Sequence, residues 1–481
     1  GASGATGMAS ALILGTGLAV LSKGNGILLP LLAWVLEATV FKRLDAGLPI
    51  PASQRLRLLR VVLLVLPTTL VFLMLASYLP NLGAPAPARG FSAAQRLLTE
   101  PRVLLDYLRL LYIPRATSSG LFNDAYVVST GWATPRSTLP ALLAIAALLA
   151  AGLGLRRRAP VWSAALLFFF AGHLLESTVI NLELYFEHRN YLPAMLLFWP
   201  PALALCEWRR PFALRLTIAL SLLALFAFTT FERASLWGQP EKLAALWAMQ
   251  ESRSPRAQAA AAIAESAAGR PAEAVRRLDP LWRRSPHDLQ LAFNYVDARC
   301  ASSGLDANDK ARVAAALRHT PRSELLTNRW LDAAIDSSAT GECPGLTPTD
   351  VRAWVEAALQ NPAIATPAVR LQDIEPLLGH LDLVEGHPAQ ALAHFDRALR
   401  AIPSPDTAAR QASVLASAEA YEQALAHLDL YESLRASRRA PGPGMPWLHR
   451  KVMDLQGYWP REMAVLRRRL HAAIAERDAG R

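Results

Sequence analysis

The apolar residues of this chain are not evenly spread. Seven apolar runs lie in its first 231 residues, over roughly 6–22, 25–41, 59–80, 138–155, 160–181, 190–207 and 212–231. The hydrocarbon core of a bilayer is about 30 Å thick and takes roughly 20 apolar residues in helical form. In lipid the backbone must satisfy its own polar groups, which a helix does by itself. The first half therefore reads as a polytopic transmembrane helical bundle of about seven spans. The first two runs are short and separated only by Ser22-Lys23-Gly24-Asn25. Either they form a tight helical hairpin or one of them is incomplete. Pro30 and the Pro200–Pro201 pair are tolerable there, because neighbouring helices re-satisfy the freed carbonyls.

Composition narrows the class. Hydrophobic residues make up 52% of the chain and charged residues 19%, which excludes a disordered chain. Three Cys in 481 residues exclude a disulfide-dense scaffold. Residues 1–231 carry 19 Lys and Arg against 9 Asp and Glu, whereas the remainder is nearly balanced at 31 against 30. A nucleic-acid binder would place its positive excess on a polar domain. Here it flanks apolar runs, so no nucleic-acid partner is expected. Lys42, Arg43, Arg55, Arg57, Arg60, Arg156, Arg157, Arg158, Arg209, Arg210 and Arg215 fall on one side of a seven-span arrangement. Only Lys23 and Arg189 occupy the short loops of the other side. Positive loops stay cytoplasmic, so the N-terminus reads as inside, and the loop 81–137 and the C-terminal half as outside. No signal peptide is apparent at the start.

The loop 81–137 has structure of its own. Residues 81–90 are rich in Pro, Gly and Ala and read as irregular. Leu97, Leu98, Val103, Leu104, Tyr107, Leu108 and Leu111 then recur at helical spacing. They predict one or two amphipathic helices on the membrane surface, broken near Pro101 and ended by Pro114.

From Glu232 onward the chain is Ala- and Leu-rich with helical periodicity. Leu378, Gly379, Ala391, Phe395, Ala398 and Pro403 stand at tetratricopeptide offsets. Small residues let two helices approach, Phe395 fills the groove and Pro403 ends the second helix. Ala274, Leu278 and Pro286, and Ala424, Leu428 and Tyr431, read as weaker copies. Asp382 departs from the pattern, where an aromatic is usual. Residues 232–481 therefore read as an extracytoplasmic α-solenoid of tetratricopeptide-like hairpins, an irregular helical bundle being the alternative. Cys206 lies in a predicted span. Cys300 and Cys343 lie outside, where a disulfide is permitted, and spacing alone does not decide whether they pair.

Ionisable groups inside a membrane are costly and hence candidates for function. Glu176, Glu183 and Glu187 fall on one stripe if the helix 160–181 continues to Glu187. His173 and Asn181 lie nearby in sequence. One reading is a polar outward cavity with Glu187 or Glu183 as base or cation ligand and Arg189 as a phosphate binder. The other is interhelical ion pairing, with Arg189 and Tyr191 as interfacial anchors. Without a second His or Cys at ligand spacing, His188 reads as structural rather than metal-bound. Lys23 either snorkels or contacts a lipid phosphate. Asp106, Tyr107, Arg109 and Arg115 either close over a lipid-linked substrate or grip headgroups. Glu37 and Glu207 are given no catalytic role. No phosphate-cradling loop, zinc motif, Ser elbow or dinucleotide fingerprint is present.

Three segments carry a resemblance. Leu21-Ser-Lys-Gly-Asn-Gly-Ile-Leu-Leu-Pro30, the stretch Arg96–Leu108 followed by Pro114, and Phe186-Glu-His-Arg-Asn-Tyr-Leu-Pro193 resemble segments of polytopic GT-C-type glycosyltransferases with tetratricopeptide tails. These are bacterial relatives of the transmembrane O-mannosyltransferases. The resemblance implies sugar transfer from a polyprenyl-phosphate donor to a protein or glycan acceptor, on the outer face of a bacterial inner membrane. Lys23, His188, Arg189 and Tyr191 fall in its matching segments and are expected to bind substrate, and Arg115, from the reading of the outer loop, is expected to join them. Glu187 falls there too and would orient Arg189 or bind a divalent cation, while Glu183, from the stripe, is the other catalytic candidate. The tail would bind a protein partner. Such enzymes carry an acidic residue in a first outer loop, which is expected upstream of Gly1. A non-catalytic membrane-anchored scaffold for envelope or pilus assembly is the alternative.

Overall fold

The computed structural model describes residues 2–41, 57–84, 90–115, 121–124, 126–321, 326–365, 368–437 and 445–480. Lys42, Arg43 and Arg55 of the basic loop lie outside the described residues, as do residues 85–89 of the Pro/Gly/Ala-rich stretch. Every described regular element is helical, apart from one isolated bridge between Gly131 and Thr134. The chain divides into two compact units, Gly1–Ser254 and Pro255–Arg481.

The first unit holds α1 (Ala2–Ser22), α2 (Leu29–Thr39), α3 (Leu66–Ala76), α4 (Ala93–Tyr112), α5 (Thr138–Leu155), α6 (Pro160–Gly172), α7 (Trp199–Glu207), α8 (Phe212–Trp237) and α9 (Pro240–Gln250). Among the described residues, three helical stretches are long and apolar enough to cross a membrane: Arg57–Asn81 around α3, Thr138–Leu155 and Phe212–Trp237. Leu220, Leu223, Phe228 and Phe231 of α8 face outward, which suits a lipid-covered surface. The other four apolar runs form shorter helices. At 1.5 Å per residue the 13-residue α6 is only about 20 Å long, and its Ala164, Phe168 and Phe169 are buried in protein.

Prolines shape the short elements. Pro30 and Pro200 stand in the first turns of α2 and α7 rather than inside spans, where a missing N–H costs nothing. Between α1 and α2 the chain reverses through a 3₁₀ segment, Gly24–Leu28. A Cβ on Gly26 would lie 2.2 Å from the Ala19 carbonyl carbon, so only glycine fits this close approach. The predicted break at Pro101 is absent. α4 runs through Pro101 as one helix, opened by a capping box between Ser92 and Gln95. Cys206 is exposed.

The sequence boundary at residue 231 also shifts. Trp247 of α9 packs on Trp237 and Phe122, and Ser254 donates to Asp124. These contacts keep residues 232–254 with the first unit.

The second unit comprises α10 (Pro255–Ala267), α11 (Pro271–Arg284), α12 (Leu289–Ser302), α13 (Ala307–His319), α14 (Thr327–Thr340), α15 (Pro348–Leu359), α16 (Pro362–Ala365), α17 (Ala368–Val384), α18 (Pro388–Ala401), α19 (Pro405–Ser417), α20 (Tyr421–Leu434), α21 (Met445–Leu455) and α22 (Tyr458–Ala479). Proline in the first turn starts α11, α15, α18 and α19. Capping boxes start α13 at Asp306 and α15 at Thr347. Some helices pack on both the next in sequence and the next but one, as α10 does on α11 and α12. Gly379 of α17 lies under Phe395 of α18: a Cβ there would meet the ring at 2.8 Å. Ala274, Leu278, Ala391, Ala398, Ala424 and Leu428 are all buried. Asp382 is buried and bound by Arg352 at 2.7 Å. Cys300 and Cys343 form a disulfide.

Candidate functional site

The helix predicted to carry Glu176, Glu183 and Glu187 on one stripe does not exist as such. α6 ends at Gly172, residues 173–180 form turns and bends, and residues 181–186 are non-helical. Two contacts explain the stop. Gly172 lies against Pro193, which a Cβ would approach to 2.9 Å. The buried Arg96 of α4 donates to the carbonyls of Glu176, Thr178, Leu182 and Glu183. Those are the acceptors a continuing helix would need for its own ladder. One guanidinium thus replaces a helical turn and brings an extended segment against α4.

Tyr107 fixes the same segment from the next turns of α4. Its hydroxyl donates to the Phe186 carbonyl at 2.9 Å and accepts from the Phe186 N–H at 2.6 Å. Tyr185 donates to Asp106 at 2.7 Å. Burial pushes both tyrosine hydroxyls well above their ordinary pKa, so they act as fixed neutral donors.

Glu176 becomes the centre of a charge cluster. Lys23 Nζ lies 3.6 Å from its Oε1, and Asn25 donates to the same oxygen. Arg189 Nε lies 3.7 Å from its Oε2. Arg189 also donates to the Glu183 carbonyl at 2.5 Å and stacks over Phe186. Its Nη2 has no hydrogen-bond partner among the described residues. Lys23 is about two-thirds exposed, whereas Arg189 and Glu176 are nearly sealed. Beneath them Glu100 lies 2.6 Å from Arg96 Nη2 with both side chains sealed from solvent. Burial raises the Glu100 carboxyl to about 7, and the nearby Arg96 only partly offsets it. The three segments quoted for the family resemblance thus converge, contributing Lys23 and Asn25, then Arg96, Glu100 and Tyr107, then Phe186 and Arg189.

The other predicted residues are placed differently. Glu187 is outside the cluster and pairs with Arg233 of α8 at 2.6 Å. Glu183 contributes its backbone carbonyl to Arg96 and Arg189. His188 is exposed with its ring against Phe186, and Tyr191 is 91% exposed. Arg115 is exposed beyond the end of α4. No group of three or more His, Cys, Asp or Glu side chains fit to hold a metal ion occurs among the described residues. The surroundings of Glu187 therefore do not fit a cation ligand set.

Sequence reasoning passed over Arg96 and Glu100 as site residues. A signal was present: they share a helical face with Val103, Leu104 and Tyr107, all buried. Charged residues on the apolar face of an amphipathic helix need buried partners.

Comparison with known protein families, with curated proteins and with solved structures finds no match.

Proposed function

We propose that the chain is a GT-C-type membrane glycosyltransferase, or a piece of one, using a polyprenyl-phosphate-sugar donor on the outer face of a bacterial inner membrane. The observation that carries this reading is the Lys23–Glu176–Arg189 cluster. It joins one solvent-facing ammonium and one nearly sealed guanidinium across a single carboxylate. Three cations (Lys23, Arg96 and Arg189) surround two carboxylates. The second of these, Glu100, is held partly protonated near neutral pH. The cluster therefore favours an additional anion, and a phosphate leaving from a lipid carrier is one of suitable chemistry. Arg189 would present its unoccupied Nη2 to a phosphate oxygen while Glu176 holds the guanidinium plane. Lys23 would add a second charge from the rim. In this account Glu176 is a positioning residue. The acceptor is a protein or glycan.

The same reading takes the first unit as a multi-pass bundle of about seven spans, in which the short apolar helices pack between the three long ones. It takes the second unit as a tetratricopeptide-like α-solenoid outside the cytoplasm that binds a protein partner. The notch of Gly379 under Phe395 and the packing of several helices on the next but one support that repeat.

A second reading, a non-catalytic membrane-anchored scaffold, is favoured by one observation. Glu187 and Glu176 are both engaged by cations, which leaves neither as a free general base.

Native mass spectrometry of the full chain with undecaprenyl phosphate separates the two. The transferase reading expects retention of the lipid phosphate that Arg189→Ala weakens at least tenfold. Equal retention by both proteins would favour the scaffold.

A further inference from the structure

Charge in the second unit is divided sharply along the chain. Residues 255–434 carry 17 Lys and Arg against 23 Asp and Glu, whereas residues 435–471 carry 9 against 2. The basic stretch takes in α21 and most of α22.

α21 is an 11-residue helix packed on α22, and none of its described side chains is buried. A helix that short is marginal in water unless one face is covered. At 100° per residue, Trp447, Lys451, Leu455, Leu448 and Val452 fall within one arc of about 140°. The four apolar side chains are all open, Trp447 at 46% and Leu455 at 86%. Lys451 Nζ lies 5.9 Å from the centre of the Trp447 ring. A lysine so placed lays its stem along apolar surface and carries its ammonium past it.

The cations nearby are not consumed by the protein. Arg467 is taken by Asp429 and Arg477 by Glu422. Arg461, Arg468 and Arg469 are exposed, on the side of α22 turned away from its buried Met463 and Leu470. Like Lys451, they have no acidic partner among the described residues. What covers this end of the unit must therefore offer apolar depth and negative charge together. An anionic bilayer offers both: its acyl boundary takes Trp and Leu, and its phosphates take Lys and Arg.

We propose that α21, with the basic side of α22, docks on an anionic phospholipid surface. Trp447, Leu448, Val452 and Leu455 enter the acyl boundary, and Lys451, Arg461, Arg468 and Arg469 meet lipid phosphates. The inference makes no use of the Lys23–Glu176–Arg189 cluster, so either can fail while the other stands.

The test keeps the full chain in nanodiscs of neutral phosphatidylcholine. Leu455→Cys, in a Cys206→Ser background, carries an environment-sensitive nitrobenzoxadiazole label on α21. Sedimentable vesicles are then titrated in, either of phosphatidylcholine alone or of phosphatidylcholine and phosphatidylglycerol in equal amounts. Emission from the label is expected to rise and shift to the blue with the anionic vesicles and not with the neutral ones. Lys451→Glu combined with Arg468→Glu should weaken that response by about tenfold or more, given roughly fivefold per cation removed near an anionic surface. Trp447→Ser should weaken it by about tenfold through lost apolar burial. All three side chains are exposed, so helicity by circular dichroism should be unchanged in each variant. An equal response to the two vesicles, or a response that neither the charge pair nor Trp447→Ser reduces, would overturn the proposal. So would sedimentation with an unshifted label, which would leave this apolar face to a protein partner.

Discussion

Arg189 and Glu176 meet at 3.7 Å with both side chains nearly sealed from solvent, although the helix expected to carry Glu176 onward stops at Gly172. The pairing exists because Arg96 has taken the backbone carbonyls that would otherwise have continued that helix. A buried guanidinium on one amphipathic helix therefore decides where a second guanidinium stands. Two consequences of this arrangement, and two features of the second unit, can be measured.

Arg96→Ala removes the clamp and leaves Glu100 buried without its ion-pair partner, with only the more distant Arg189 acting on it. Breaking a buried ion pair from one side costs about 3–5 kcal/mol. Thermal unfolding of the purified chain should show that loss for Arg96→Ala. Adding Glu100→Gln should recover part of it, because the orphaned charge is gone. A double variant no better than the single one would mean the carbonyl contacts alone set the cost.

Glu100 makes stability depend on pH in a defined direction. Its folded pKa, about 7, lies above the ordinary carboxylate value of 4.5, so the folded state binds more protons between those values. Stability contributed by this group is therefore lost as pH rises from 4.5 to 7, by about 3 kcal/mol at most. Glu100→Gln should flatten melting temperature against pH over that window. An unchanged slope in the variant would assign the dependence to other groups.

Gly379 has no room for a side chain. A Cβ would stand 2.8 Å from Phe395 Cε1 and 3.1 Å from the Ala391 carbonyl oxygen. Gly379→Ala should cost about 1–3 kcal/mol by overpacking. Phe395→Leu in the same chain should return part of the loss by vacating the ring. Denaturant unfolding of the two variants checks both directions.

The Cys300–Cys343 bond spans a sequence separation of 43 residues. Replacing both cysteines by alanine should lower stability by about 2–4 kcal/mol. The melting temperature of wild type should fall on reduction and that of the double variant should not.

Much of the fold was readable because its signals are local. Ser92 with Gln95, Asp306 with Asp309, and prolines at helix starts mark boundaries by hydrogen-bond chemistry within four residues. The Gly379–Phe395 notch was readable from residue size at repeat spacing. The site was readable only as segments. Lys23 and Arg189 were singled out by their place in short loops, and they do share a carboxylate. Glu176 was named with Glu183 and Glu187 on a helical stripe, and only Glu176 lies in the cluster. The error has a tertiary cause: the acceptors of Arg96 lie 80 to 87 residues away in the chain, and no periodicity within residues 160–190 reports on them. Apolar composition also could not separate the 13-residue α6, buried in protein, from the 26-residue α8, whose leucines face outward.

The most direct test of the central claim is sugar transfer by the full chain in nanodiscs. A panel of polyprenyl-phosphate-linked radiolabelled sugars would be supplied with membrane proteins as acceptors. The account expects label to enter protein or glycan, with Arg189→Ala slowed by about a hundredfold or more, the scale for removing one oriented donor from developing charge. Lys23→Ala should be slowed less, since its ammonium is exposed. Transfer by Arg189→Ala at the wild-type rate, with the variant normally inserted, would contradict the assignment of this cluster as the site of phosphate departure.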